Sequence, residues 1–77
     1  MSISEDLLEE VNLLLQFDLS STQAGIKVHS SARPEMVTSA KRLYDKGMVT
    51  QVDGGYLTAL GRETAEHLDS AMRILKV

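Results

Sequence analysis

The sequence predicts a small α+β domain that is mainly helical and carries one short β-hairpin. Three observations support this fold class. Apolar residues recur at helical spacing in three segments, a short alternating stretch leads into Asp53-Gly54-Gly55, and a chain of 77 residues can enclose only one core. Because the chain has no cysteine, neither disulfides nor a cysteine-based zinc site can stabilise it, and packing must hold residues 1–77 together as a single domain.

The first helix is predicted over residues 4–17. Ser4 is a suitable N-cap, and two carboxylates follow it in the first turn, where the helix dipole favours negative charge. A polar break then leads to a short second helix over residues 22–28, in which Gly25 is the least favourable residue. The first helix should face the core with an apolar stripe that consists of Leu7, Leu8, Val11, Leu14 and Leu15.

The third helix is predicted over residues 34–46, because Pro34 suits a first helical turn and Gly47 suits a left-handed C-cap. Its inward residues are Met36, Val37, Ala40, Leu43 and Tyr44. The opposite face, open to solvent or to a ligand, presents Glu35, Thr38, Arg42, Asp45 and Lys46, with Ser39 and Lys41 on its flanks.

A β-hairpin is predicted over residues 48–58, with its turn at Asp53-Gly54-Gly55, because glycine accepts positive φ. Thr58 can then cap a fourth helix over residues 59–75. The predicted order is therefore three helices, a strand, a wing, a second strand and a final helix. This order is the layout of a winged helix-turn-helix, which points to duplex DNA as the partner.

Charge is unevenly distributed along the chain, whose formal net charge is -3. Residues 1–18 carry five acidic residues and no basic one, whereas residues 19–52 carry five basic and two acidic residues. Opposed charges more than about 10 Å apart are largely screened at about 0.1 M salt, so a basic face can exist on an acidic protein. The distribution favours DNA binding by the central segment and disfavours it at the N-terminal end.

Two motifs resemble those of known regulators. The run from Ala40 to Val49, with Lys-Arg-Leu, two variable residues, Lys-Gly and two apolar residues, resembles the end of the recognition helix in MarR-type and PadR-type regulators. The run from Leu57 to Glu63 resembles the sequence that closes the wing in the same superfamily. Taken end to end, the chain is also similar to a small bacterial family of uncharacterised single-domain winged-helix proteins to which DNA binding is ascribed.

The resemblance implies a transcriptional regulator whose third helix enters the major groove while the wing lies near the adjacent backbone. Base edges would be read by Thr38, Ser39 and Arg42, because an arginine can bridge guanine O6 and N7. Phosphate contacts fall to Lys27, Arg33, Lys41 and Lys46, and wing contacts to Gln51, Gly54, Gly55 and Tyr56. The competing interpretation is an ordinary solvated helix face, which Glu35 and Asp45 favour.

No catalytic, metal-binding or cofactor-binding pattern is recognised. His29 and His67 are far apart and have no cysteine partner, and Gly54-Gly55 lacks the helix and basic residue of a phosphate-binding loop. We therefore expect a non-enzymatic protein without cofactor or metal. The first residues lack the pattern of a secretory signal and no apolar run is long enough for a membrane span, so we expect a cytoplasmic location and no membrane partner.

Two function classes stay open. The first is a DNA-binding regulator that forms a homodimer through its terminal helices, because Leu13 and Ile74 fall outside the inward stripes. Such a dimer would pair two half-sites about 34 to 36 Å apart. The second is a protein-binding module, in which the acidic first helix meets a basic partner and the third helix merely packs.

Overall fold

The computed structural model describes residues 2–77, which form a small α+β fold with three helices and a three-stranded antiparallel sheet. β3 is the central strand, with β1 and β2 on either side. None of the helices within these residues combines the length and the apolar character that crossing a membrane requires. The elements are α1 (Glu5–Leu14), β1 (Ile26–Lys27), α2 (Pro34–Asp45), β2 (Val49–Gln51), β3 (Gly54–Leu57) and α3 (Ala59–Leu75). The core consists of Leu13, Leu14, Phe17, Val28, Ala40, Leu43, Val49 and Ala65.

The first helix begins where the sequence predicts and ends earlier. Ser4 is its N-cap, since Ser4 Oγ accepts a hydrogen bond from the Leu7 amide at 3.1 Å. α1 ends at Leu14, and tighter turns continue the chain, with the Phe17 amide donating to the Leu14 carbonyl at 3.3 Å. The predicted cap is confirmed, and the predicted end at residue 17 lies beyond the regular helix.

The buried stripe of α1 consists of Glu10, Leu13 and Leu14, with Phe17 one turn further on. The predicted stripe is confirmed at Leu14, which belongs to the core, but it is wrong at Leu8, which is 50% exposed, and it omits Leu13, which is also buried. Apolar periodicity mispredicts the buried face of α1 because this face includes Glu10, a charged residue that the pattern predicts to be exposed. Two cations of α2 neutralise this carboxylate, so the face that contains it can pack.

The predicted second helix, over residues 22–28, does not form. This segment instead enters the sheet as β1, which pairs with the first half of β3. The Val28 amide donates to the Asp53 carbonyl at 2.8 Å, so the segment finds its backbone partners in the hairpin and not in a helix. Gly25 allows the close approach, because a Cβ there would lie 2.7 Å from the Gly55 carbonyl oxygen.

The helix predicted over residues 34–46 is confirmed to within one residue as α2. Its C-terminus is closed by Gly47, which has a φ of 76°. The Met48 amide donates to the Leu43 carbonyl at 2.9 Å and the Gly47 amide to the Tyr44 carbonyl at 3.0 Å. These two bonds are the Schellman motif, so the left-handed glycine cap is also confirmed.

β2 and β3 form the predicted hairpin, but its glycine pair lies in β3 and not in the turn. The turn consists of Val52 and Asp53. Gly54 has a φ of 118°, and a Cβ on it would lie 2.5 Å from the Ile26 carbonyl oxygen. The glycine is therefore required by the close approach of β1 as well as by its own backbone conformation.

α3 spans residues 59–75, as predicted, and is fixed at its N-terminal end. Thr58 Oγ1 accepts a hydrogen bond from the Gly61 amide at 3.0 Å and donates to the carbonyl of the glycine that caps α2, at 2.6 Å. Gly61 packs so closely on the chain before β2 that a Cβ would overlap the Met48 carbonyl oxygen. At the other end of the helix, Ile74 is 74% exposed.

Candidate nucleic-acid interface

α2 carries most of the predicted contact residues, and it presents two differently occupied sides. α1 packs along one side, whereas β1 and the hairpin turn border the other across a groove. Arg42 and Lys46 lie one helical turn apart on the side of α1, where both contact Glu10, whereas Thr38, one turn before Arg42, lines the groove. Lys41 projects toward the groove. A cation on the α1 side of α2 can pair with the carboxylates of α1, whereas a cation on the groove side remains available to a ligand.

Arg33, Arg42 and Lys46 are each bound to a carboxylate of α1, and we call these three cations the paired ridge. Arg42 Nε donates to Glu10 Oε2 at 2.9 Å, and Lys46 Nζ donates to Glu10 Oε1. Arg33 Nη2 lies 3.2 Å from Glu9 Oε2. The predicted base contact of Arg42 and the predicted phosphate contacts of Arg33 and Lys46 stay predictions, and in the structure all three side chains are engaged within the protein.

Glu10 is the centre of this ion-pair network, and its side chain is only 5% exposed. Burial raises the pKa of Glu10, but hydrogen bonds and positive charge from Lys46 and Arg42 outweigh burial and hold the pKa below its usual value. The carboxylate is therefore ionised at neutral pH. Its two partners keep 30% (Arg42) and 49% (Lys46) of their side chains exposed, so the network is open to solvent on its outer side.

The two hydroxyl residues predicted to read bases occupy different environments. Ser39 is completely buried and its hydroxyl donates to the Met36 carbonyl at 3.0 Å, so the prediction of a base contact by Ser39 is wrong. Thr38 is exposed, and its hydroxyl donates to the Pro34 carbonyl at 3.0 Å while its oxygen keeps its capacity to accept.

A groove of about 440 Å³ opens on the other side of α2. Thr38 and Lys41 line it from α2, and Lys27, His29 and Asp53 line it from β1, the chain that follows β1 and the hairpin turn. Within residues 2–77, neither lysine has a carboxylate oxygen within 4.0 Å of its ammonium group. The structure thus brings two predicted phosphate-binding residues, Lys27 and Lys41, to one groove, and neither forms an ion pair within the described residues.

A smaller depression of about 320 Å³ shares Lys27 with this groove. Gln51, Gly55 and Tyr56 line it, so three of the four predicted wing residues lie beside an uncommitted lysine. Gly54 is buried against β1, and its predicted wing contact is wrong. We call the exposed residues that run from α2 across β1 to the hairpin the open strip: Thr38, Lys41, Lys27, Gln51 and Tyr56.

A family model matches residues 1–76, and its description is a family of unknown function, DUF5669. The chain belongs to the DUF5669 family. No curated protein and no solved structure matches it. The contacts described above are therefore the basis on which the function of this DUF5669 protein can be inferred.

Three residues that shape the surface of this DUF5669 protein were not among the predicted site residues. Glu10 binds two cations, His29 joins the groove, and the Arg62 guanidinium donates to two carbonyl oxygens of the loop before β1, both at 2.9 Å. The spacing of Arg42 and Lys46, one helical turn apart, indicates that a single carboxylate can bind both, but it does not single out Glu10. No comparable signal points to His29 or to the partners of Arg62.

Proposed function

We propose that this protein is a non-enzymatic DNA-binding module of the winged-helix type, a transcriptional regulator that contacts double-stranded DNA through the open strip. The observation that carries the proposal is the convergence of Lys27 and Lys41 on one groove, with no carboxylate bound to either. Free ammonium groups supply the phosphate contacts on which affinity for DNA depends. The lack of cysteine accords with a reducing, cytoplasmic setting.

In the proposed complex α2 lies in the major groove, which is about 12 Å wide and admits a helix. Thr38 and Lys41 then face base edges and the nearest phosphates. β1 stands in place of the expected second helix and contributes Lys27 to the neighbouring backbone. Gln51 and Tyr56 extend the contact along the hairpin, which serves as the wing.

Titration against a random duplex at several salt concentrations tests this proposal. Each phosphate contact adds about 0.9 to the slope of log affinity against log salt concentration. Lys27→Ala and Lys41→Ala should each lower the slope by about 0.9 and weaken binding to all sequences alike. Lys76→Ala is the matched control, because this lysine lies at the C-terminal end of α3. No binding at low salt, or an equal loss in the control, would contradict the proposal.

A protein partner is the second candidate, and the outer surface of α1 favours it. Leu7 and Leu8 are exposed there beside Glu5 and Asp6, which are also exposed. A surface that mixes carboxylates with leucines suits a basic, amphipathic partner. This candidate predicts no affinity for duplex DNA at low salt and binding of a synthetic lysine-leucine helix that Leu8→Ser weakens.

We also propose that the module forms a homodimer through the end of α3. Leu13 cannot contribute, because it belongs to the core, whereas Ile74 and Leu75 are each 74% exposed. Two copies joined in this way could present their α2 helices to half-sites about 34 to 36 Å apart. Sedimentation that gives only monomer at micromolar concentration would exclude this dimer.

A further inference from the structure

The paired ridge lies directly beside the open strip and yet is bound by the protein itself. Thr38 belongs to the open strip, and Arg42 and Lys46 follow it at intervals of one helical turn. The side chains of Arg33, Arg42 and Lys46 are 59%, 30% and 49% exposed, so a polyanion at α2 can reach their outer sides. Their inner sides are occupied by α1.

The groups that occupy these cations are chemically close to phosphates. Carboxylate and phosphate oxygens both accept charge-assisted hydrogen bonds from guanidinium and ammonium groups. Glu10 gives one oxygen to Arg42 and the other to Lys46, and Glu9 contacts Arg33. Each ion pair removes from α2 a donor that a DNA phosphate could use.

We propose that α1 is an intramolecular competitor of DNA, in which Glu9 and Glu10 take the positions of backbone phosphates and thereby set the affinity of the protein for duplex DNA. This inference rests on the proposed function, since competition requires that the duplex binds at α2. The two free lysines of the open strip make the first contacts. The three cations of the paired ridge join only as the α1 carboxylates release them.

Three substitutions that each remove one negative charge test this competition. Glu9→Gln removes the α1 carboxylate that holds Arg33, which keeps a 3.5 Å contact with Glu35. Glu10→Gln weakens the hold on Arg42 and Lys46, and Glu63→Gln, on an exposed part of α3, is the control with the same change in net charge. An exposed ion pair is worth a factor of up to about five in an equilibrium constant. Relative to the control, we expect Glu9→Gln to bind random duplex about two- to fivefold more tightly and Glu10→Gln about tenfold more tightly. The salt slope should steepen by about 0.9 for each released cation that reaches a phosphate.

The possible results separate this inference from the function on which it rests. If the wild type binds through Lys27 and Lys41 but Glu9→Gln and Glu10→Gln gain no more affinity than Glu63→Gln, the competition is overturned and DNA binding stands. If no variant binds at low salt, the proposed function itself fails. If Glu10→Gln does not fold, the affinity of Glu9→Gln alone tests the competition, because the Glu9 ion pair lies at the surface and its loss should leave the protein folded.

A double-mutant cycle gives a readout that depends on the contact itself. Arg42→Ala should cost little DNA affinity in the wild type, where Glu10 holds this arginine, and several-fold more in the Glu10→Gln background. If Arg42→Ala reduced DNA affinity equally in the two backgrounds, Glu10 would not compete with DNA for Arg42.

Discussion

Replacing Glu10 with glutamine should destabilise the protein much more than the same change at Glu9, its neighbour on α1. The Glu10 side chain is 5% exposed and its two oxygens bind two different cations. Glutamine keeps one acceptor oxygen and turns an amide donor toward the other cation, so at least one charge-assisted hydrogen bond is lost. The Glu9 side chain is 26% exposed and contacts an arginine that is 59% exposed.

The expected loss in the free energy of unfolding depends on how well Arg42 and Lys46 can be rehydrated once the Glu10 carboxylate is gone. Removing one member of a fully buried ion pair costs about 3 to 5 kcal/mol. Arg42 and Lys46 retain 30% and 49% exposure and can rehydrate, so we expect a loss of about 2 to 3 kcal/mol. A domain of this length has a free energy of unfolding of roughly 4 to 12 kcal/mol. At about 4 to 8 °C for each kcal/mol, the melting temperature should fall by roughly 10 to 20 °C.

Thermal and urea unfolding followed by circular dichroism measure this loss. An unchanged urea slope would show that the folded state exposes the same surface as in the wild type. Glu9→Gln removes an ion pair at the surface, so its free energy of unfolding should fall by at most about 1 kcal/mol. Losses that are small and equal in the two variants would refute the conclusion that Glu10 is a buried and doubly bound carboxylate.

Other measurements test separate features. The pKa of Glu10 is lowered in the folded state, so the stabilisation that its ionised carboxylate provides is complete above the usual glutamate pKa and is lost as the pH falls through the folded-state pKa. Lowering the pH should therefore reduce the free energy of unfolding more steeply in the wild type than in Glu10→Gln. Gly61→Ala should cost more than about 3 kcal/mol, because the added Cβ would overlap the Met48 carbonyl oxygen, whereas Gly47→Ala, with no atom within 4 Å, should cost about 1 to 2 kcal/mol. Equal melting temperatures of these two variants would contradict the close packing of α3 on the chain before β2. Ile74→Glu should yield monomers in sedimentation without changing the melting temperature of a monomeric sample, since this side chain packs on little of its own chain.

The elements that the sequence predicts correctly are those whose ends depend on neighbouring residues. α3 begins after Thr58 because one hydroxyl satisfies an amide three residues later, and α2 ends because Gly47 adopts positive φ. Residues 22–28 differ, because the groups that complete their hydrogen bonds belong to the hairpin, far along the chain. A segment whose partners are distant in sequence cannot be assigned from its own composition.

The same reasoning explains which of the predicted interface residues are exposed in the structure. Thr38, Lys27 and Lys41 are exposed because the phase of α2 and the position of β1 leave them so. The orientation of Arg42 is decided by Glu10 on another helix, and Glu10 lies on a phase of α1 that apolar periodicity rejects. The base contact predicted for Ser39 is wrong for a related reason, because a small hydroxyl residue that donates to a carbonyl of its own helix can be buried with its hydroxyl satisfied.

The position of β3 between β1 and β2 has a mechanical consequence for a DNA complex. A wing whose two strands bond only to each other can bend toward a groove, but in this hairpin β3 also bonds to β1, and the turn is tied to the chain after β1 by the bond from the Val28 amide to the Asp53 carbonyl. In the proposed complex, α2 and the hairpin would therefore meet the duplex at a fixed spacing, and the DNA would have to deform to fit them. We expect the protein to prefer duplexes with flexible pyrimidine–purine steps over stiff A-tracts of equal length and charge, which competition between the two kinds of duplex would measure.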